Sequence, residues 1–298
     1  MTILLKLVMT ILLKDEQSLD TTKVRHLDAK SLARLACQAL KQEATLSPKP
    51  ALVDSRGSGA HTDMDVGLLM RSAHCLEPYF CKMAENAIVR PIGSELRRNI
   101  GAIGRDAERA MRLETNGVNT HKGAIWALGL LVAAATKASS LDELFNEAAH
   151  LANLPDEGLK AVYLSNGLQV RHQYGLSGAK EEAQQGFPHI QELGLPMLFI
   201  SRARGDSESD AQLNALLAIM TRLSDTCVAS RAGLEGVKTM QKGANAVLDA
   251  GGTGTLLGRQ LLNKLEQDLL RLNASPGGAA DLLAATLFID SLTHQTSH

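Results

Sequence analysis

Apolar residues recur at helical spacing along most of the chain. In KSLARLACQALKQEATL, Leu32, Leu35, Ala36, Ala39 and Leu40 fall on one face, and in DAQLNALLAIMTRLSD so do Leu213, Leu216, Leu217, Met220 and Leu223. The same period predicts helices over 66–89, 98–113, 123–138, 141–151, 233–248, 256–272 and 279–292. Strand-like alternation is almost absent, and LPMLFI at 195–200 is the best of a poor set. The expected fold is all-α, a single compact multi-helix domain over 24–298 with long ligand-binding loops. Residues 1–23 form an N-terminal extension in which MTILLK occurs twice, from Met1 and from Met9. No small-residue cleavage site follows, so a signal peptide is a poor reading, and no function is rested on the extension.

A chain of 298 residues can bury a substantial core. Its formal net charge of -1 excludes nucleic-acid binding by broad counterion release, so any polyanionic ligand must meet a local cluster of cations. Cys37, Cys75, Cys81 and Cys227 form no CxxC pair; they read as reduced thiols of a cytoplasmic protein, without a zinc or disulfide framework. The longest apolar run, Ala124 to Ala135, is too short to span a bilayer.

Four connections are longer than ordinary links between packed helices: 46–62, 114–122, 178–189 and 275–281. They are expected to converge on one pocket. The first carries Lys49 and Arg56, then GAHTDMD with His61, Asp63 and Asp65. If that segment is extended, Asp63 and Asp65 face the same side and can approach one Mg²⁺; if it is helical, they are first-turn acids. In ETNGVNTHKG, Asn116-Gly117 suits a tight turn, Asn119 and Thr120 precede the next helix, and Thr120 is a plausible cap. His121 and Lys122 then stand where a helix prefers acids, which makes either an anion site or a solvated cap. In SPGGAAD, Ser275 is a plausible cap, Gly277 and Gly278 allow close backbone approach, and Asp281 is a metal or sugar ligand or a first-turn acid. Asp225 and Arg231 read most simply as an internal ion pair. GGTGT at 251–255 lacks the spacing of a nucleotide motif.

Taken together, LSPKPALVDSRGSGAHTDMD, TNGVNTHKGAIWALGLL, EEAQQGFP, DTCVASR and SPGGAADLLAATLF closely resemble the triphosphoribosyl-dephospho-coenzyme A synthase family, in the family's order and over most of the chain. The SRGSGAHTDMD version of the first block and the length resemble the branch that serves malonate decarboxylase, with citrate lyase as the alternative. The resemblance implies a transferase that joins ATP and 3′-dephospho-coenzyme A with release of adenine. Its product is the prosthetic-group precursor for an acyl-carrier subunit. It further implies that Lys49, Arg56, Asn116, Asn119, Thr120, His121, Lys122, Arg231, Gly277 and Gly278 bind substrate. Asp63, Asp65 and Asp281 are implied as ligands of Mg²⁺. Glu114 or Asp225 is the candidate base, with His61 a further catalytic candidate. Two other readings are a Mg²⁺-dependent hydrolase of ADP-ribosyl bonds and a nucleotide-binding partner without catalysis. Neither nucleic acid nor membrane is an expected partner.

Overall fold

The computed structural model of the protein describes residues 23–156, 158, 170 and 173–293. The duplicated MTILLK of the extension lies outside the described residues. Eleven α-helices follow in order: α1 (Ala29–Thr45), α2 (Val66–Val89), α3 (Ser94–Glu114), α4 (Lys122–Ala135), α5 (Leu141–Asn153), α6 (Ala179–Gln184), α7 (Leu195–Ala203), α8 (Glu208–Met220), α9 (Thr226–Asp249), α10 (Leu256–Arg271) and α11 (Gly277–Thr293). A π-helical turn, Ile190–Gly194, leads into α7. Among the described residues the only extended pairings are the isolated bridges Lys23 to Ser140 and Asp54 to Gly57, so the all-α expectation holds.

Three helices differ from the amphipathic rule: α8, buried at every residue from Leu213 to Met220, and two that organise the site. In α4 every residue from Leu128 to Ala135 is buried, and α11 is buried at eleven positions. A helix apolar on all sides must be surrounded, and α4 touches α1, α2, α3, α5, α6 and α11. Amphipathic α1 and α2 pair closely along one side, while α9 and α10 pair along another. No helix among the described residues is long and apolar enough to cross a membrane.

LPMLFI, the best of the poor strand signals, forms the body of α7, in keeping with the all-α expectation. Leu195, Pro196 and Leu198 are buried there, and Pro196 sits in the first turn, where its missing N–H costs no hydrogen bond. The helix expected from Gly233 is the second half of α9. Gly233 adopts φ 61° and ψ -161° and kinks the helix, whose first half begins earlier, at Thr226.

The connection from α1 to α2 folds back on itself. Ala60 N–H donates to the carbonyl of Ala51 at 3.0 Å, and Asp54 and Gly57 exchange backbone hydrogen bonds. Gly59 lies under this crossing at φ 56°, where a Cβ would come within 2.5 Å of the carbonyl oxygens of Ala51 and Leu52. Gly59→Ala is therefore expected to destabilise the protein by about 2 kcal/mol through backbone strain and overlap. A denaturation midpoint equal to that of the parent would show that the loop yields at no cost.

Candidate functional site

The first turns of α4, α9 and α11 converge, with Ala124, Val228 and Ala279 buried and Lys122 and Cys227 left exposed. Each brings unpaired N–H groups and a partial positive charge, an arrangement that is unfavourable without anions. Asp225 caps α9: its Oδ1 accepts from Cys227 N at 2.8 Å and from Val228 N at 3.2 Å. Its Oδ2 accepts from Ala279 N at 2.9 Å, in the first turn of α11. One carboxylate thus clips two helix starts together. Asp281 comes to the start of α4, where the backbone N–H of Ala124 lies near enough to favour its carboxylate. It packs so closely over Gly123 that a Cβ there would overlap it.

Burial is the largest influence on both acids and pushes both carboxyls up; backbone N–H groups pull Asp225 back, while Glu43 and Asp225 raise Asp281 further. The Asp281 carboxyl is thus raised well above the usual carboxylate range.

Lys49 reaches the same region. Its Nζ, 1% exposed as a residue, donates to the Glu43 carboxylate at 2.5 Å and to the Glu43 carbonyl at 2.6 Å. Asp54 holds the loop from below, accepting the Lys49 and Arg56 backbone N–H groups at 2.8 Å each and the Arg56 guanidinium. Arg56 also pairs with Glu266 of α10 at 2.7 Å. Further along, Arg231 donates to the Ala60 carbonyl at 2.7 Å and to His61 Nδ1 at 3.1 Å. His61 then uses Nε2 toward Ser275 Oγ at 2.9 Å. An imidazole that accepts from Arg231 is neutral, and burial first, then the Arg231 charge, holds its pKa below the ordinary value, with Asp63 at 3.4 Å acting against them.

His121 occupies the N-cap position of α4, is 3% exposed, and meets Ser72 Oγ of α2 through Nδ1 at 2.7 Å. Ser72 also meets Thr120 Oγ1 at 2.6 Å. The other ring nitrogen of His121, Nε2, is buried with no hydrogen-bond partner. Burial, and then the nearby Lys49 charge, lowers its pKa to about 4, so His121 is a neutral imidazole and not the cation that its position suggested. The turn before it is as expected, with Asn116 at φ 52° and Gly117 at φ 92°. The cap is different: the helix starts one residue later than expected, with His121 as N-cap, Asn119 Oδ1 accepting from Lys122 N at 3.3 Å and the Thr120 hydroxyl paired with Ser72. Lys122 itself points outward to Glu108 at 3.0 Å.

The fold therefore gathers Lys49, His61, His121, Asp225, Arg231, Gly277, Gly278 and Asp281 around three helix starts. Three of the four long connections share this region. The fourth touches it only at its beginning, where Trp126 Nε1 donates to the Ala179 carbonyl; from Gln184 onward it runs along α5. Glu114 stands apart, exposed at the end of α3, 3.6 Å from Arg71, on the wall of an open cleft of about 480 Å³. Asp63 and Asp65 lie exposed on the extended approach to α2, and Asp65 caps that helix by accepting from Leu68 N at 2.7 Å. Asp63, Asp65 and Asp281 do not assemble into one metal-sized cluster.

The ion pair expected between Asp225 and Arg231 is replaced by backbone contacts on both sides. Glu43, Asp54 and Ser72 carry much of the geometry and have no motif of their own in the sequence. Glu43 lies on a helix face six positions before Lys49, and only burial distinguishes it from a solvated acid.

Converging helix starts with carboxylates, imidazoles and cations between them define an all-α protein with a polar centre. The profile of the ATP:dephospho-CoA triphosphoribosyl transferase family, CitG, matches residues 29–298, and the chain belongs to that family of enzymes. A relative from Pseudomonas fluorescens strain Pf-5, described as a "probable 2-(5''-triphosphoribosyl)-3'-dephosphocoenzyme-A synthase", is 57% identical over 268 residues, 89% of this chain and 92% of the relative. The 2-(5''-triphosphoribosyl)-3'-dephosphocoenzyme-A synthase of Klebsiella pneumoniae is 54% identical over 262 residues, 87% and 93% of the two chains. A crystal structure from Archaeoglobus fulgidus, assigned to the triphosphoribosyl-dephospho-CoA synthases, superposes with a TM-score of 0.51. It covers 74% of this chain and 97% of its own at 17% identity, and so supports the fold.

The His121 environment has a measurable consequence. Its folded pKa of about 4 lies below the 6.5 of an unfolded histidine, so between these values the unfolded chain binds the extra proton. Stability contributed by the neutral ring is complete above pH 6.5 and is lost as the pH falls toward 4. Asp281, whose folded pKa is raised, acts in the opposite direction, so the comparison must isolate the histidine. His121→Gln is expected to flatten the fall in unfolding free energy between about pH 6.5 and pH 4 by roughly 3 kcal/mol. Parallel pH profiles for variant and parent would contradict the buried neutral ring.

Proposed function

We propose that the gathered helix starts and cations receive the phosphates of ATP and 3′-dephospho-coenzyme A, and that the ribosyl transfer takes place at their margin. The observation that carries this reading is the meeting of α4, α9 and α11 with the loop bearing Lys49 and His61. In the proposed reaction the 2′-hydroxyl of the dephospho-coenzyme attacks C1 of the ATP ribose. The C1–N bond to adenine breaks, the triphosphate is retained, and adenine leaves with a proton. Of the two base candidates, Glu114 is the one whose oxygens are not held by backbone N–H groups; Asp225 would lose the clip between α9 and α11 on accepting a proton. His61, neutral and hydrogen-bonded through both nitrogens, sits where a proton can pass between the loop and Ser275.

The carboxylates of Asp63 and Asp65 fit a hard cation carried in with a triphosphate: both are exposed, and Asp65 engages only one oxygen in capping α2. Mg²⁺ there would offset charge on the triphosphate. Asp281 stands apart from that pair, with its carboxylate over Gly123 at the start of α4. Lys122 and Arg231, bound to Glu108 and to the Ala60 carbonyl, exchange those partners for phosphate when substrate enters. The intended user of the product is the acyl-carrier subunit of malonate decarboxylase, a choice supported by the SRGSGAHTDMD block of the first loop.

Incubation with ATP, Mg²⁺ and 3′-dephospho-coenzyme A is expected to release free adenine only when both substrates are present, with one triphosphoribosyl unit added to the coenzyme by mass. Adenine or ribosyl release without the dephospho-coenzyme would instead indicate a hydrolase. Asp65→Asn keeps a good cap, since Asn and Asp serve equally there, and is expected to lower turnover at least a hundredfold with the thermal midpoint unchanged. Near-normal turnover would remove Asp65 from the metal. Lys122→Ala is expected to raise KM for a substrate roughly tenfold with kcat little changed, the signature of lost ground-state phosphate binding; an unchanged KM would return Lys122 to a solvent role.

A further inference from the structure

The seam between α1 and α2 carries a second group of ligating side chains, away from the gathered helix starts. Cys37 comes from α1, and His74 and Glu77, three residues apart and so on one face, come from α2. The Cys37 Sγ, one imidazole nitrogen of His74 and one carboxylate oxygen of Glu77 all lie within 4.8 Å of one another. Cys37 is 1% exposed, with Sγ directed at the Ala73 carbonyl at 3.3 Å. His74 is exposed and Glu77 half-buried, and both line an open cavity of about 590 Å³. A buried thiol behind, with an imidazole and a carboxylate that both line the open space, forms a three-ligand set with room for a fourth ligand on the cavity side.

We propose that Cys37, His74 and Glu77 bind a borderline divalent cation of the zinc type, with its fourth position open to the cavity. Thiolate and imidazole favour such an ion over Mg²⁺, which takes oxygen ligands, so this site is distinct in chemistry from any cation carried on the triphosphate. Bond lengths of about 2.0–2.3 Å place ligand atoms about 3.3–3.8 Å apart in a tetrahedral site, so closure asks for roughly an ångström of movement. The exposed His74 and the half-buried Glu77 supply it by rotamer adjustment. The Cys37 proton passes to solvent as the sulfur–metal bond forms. Occupancy pins α1 to α2 a short distance before Glu43 and beside Ser72, two residues that hold the gathered helix starts in place.

The test uses the full-length, metal-stripped protein under reducing conditions, with Co²⁺ as the probe. One equivalent is expected to give a sulfur-to-cobalt charge-transfer band and tetrahedral d–d bands, both removed by one equivalent of Zn²⁺. His74→Ala, a change at an exposed position, and Glu77→Gln are each expected to weaken Co²⁺ binding at least tenfold. Cys37→Ser is expected to abolish the charge-transfer band. Absence of that band from the folded parent would overturn the proposal, as would a band that persists at full strength in His74→Ala, since the thiolate would then belong to another cysteine. The readout is spectroscopic and independent of turnover, so the site and the proposed transfer reaction stand or fall separately.

Discussion

The carboxylate of Asp225 is the contact on which the site depends. Helices α4 and α11 are apolar on nearly every side and must run through the interior, so their first turns present N–H groups where water cannot reach them freely. Asp225 answers part of that demand by accepting from Cys227 and Val228 on one helix and Ala279 on another. Asp281 brings a second carboxyl near the Ala124 N–H. Without those two side chains, three positive helix ends would face one another with unpaired donors, at a cost of about 1–3 kcal/mol for each buried group left unsatisfied. The architecture and the polar centre are therefore one problem with one solution.

That solution also governs the cations. Lys49 is buried and locked to Glu43, whereas Lys122 and Arg231 are held by an exposed acid and by a carbonyl. A buried pair broken on one side leaves a charge stranded, which is costly; an exposed pair exchanges its partner with little change in free energy. Lys49 is thus a fixed part of the floor, whereas Lys122 and Arg231 are held by partners that are cheaper to exchange. His121 belongs with the floor. Its ring is neutral and shielded, and its unpartnered Nε2 is a polar atom for which the protein alone provides no partner.

The loop from α1 to α2 connects this floor to the exposed acids. Asp54 ties together the Lys49 and Arg56 backbone and the Arg56 side chain, and Gly59 lets two strands of the loop cross in contact. Asp63 and Asp65 follow on the extended stretch before α2, and so are presented to solvent from a braced base. Two kinds of side-chain group are separated along the same pair of helices: carboxylates where the loop enters α2, and a thiol with an imidazole and a carboxylate at the α1–α2 seam.

Much of this protein was legible in its sequence because helical periodicity is a local property. Leu32, Leu35, Ala36 and Leu40 define the buried face of α1 whatever they pack against, and Asn116-Gly117 defines a turn. Other features were decided by tertiary contact. LPMLFI carries residues that suit strand or helix, and it became α7 because its apolar positions pack against neighbouring helices. Thr120 was an available cap, but the helix starts one residue later and the Thr120 hydroxyl pairs with Ser72, distant in sequence. Family blocks pointed to Lys49, His121, Asp225 and Asp281, but whether each is a free cation, a neutral ring, a backbone clip or an acid of raised pKa depends on burial, which spacing does not encode. Sequence by itself determined the helices, the positions of the loops and the membership of the family. The tertiary structure alone decided which helix starts face one another, and hence the charge state and partners of the side chains between them, because desolvation and hydrogen bonding act across space and not along the chain.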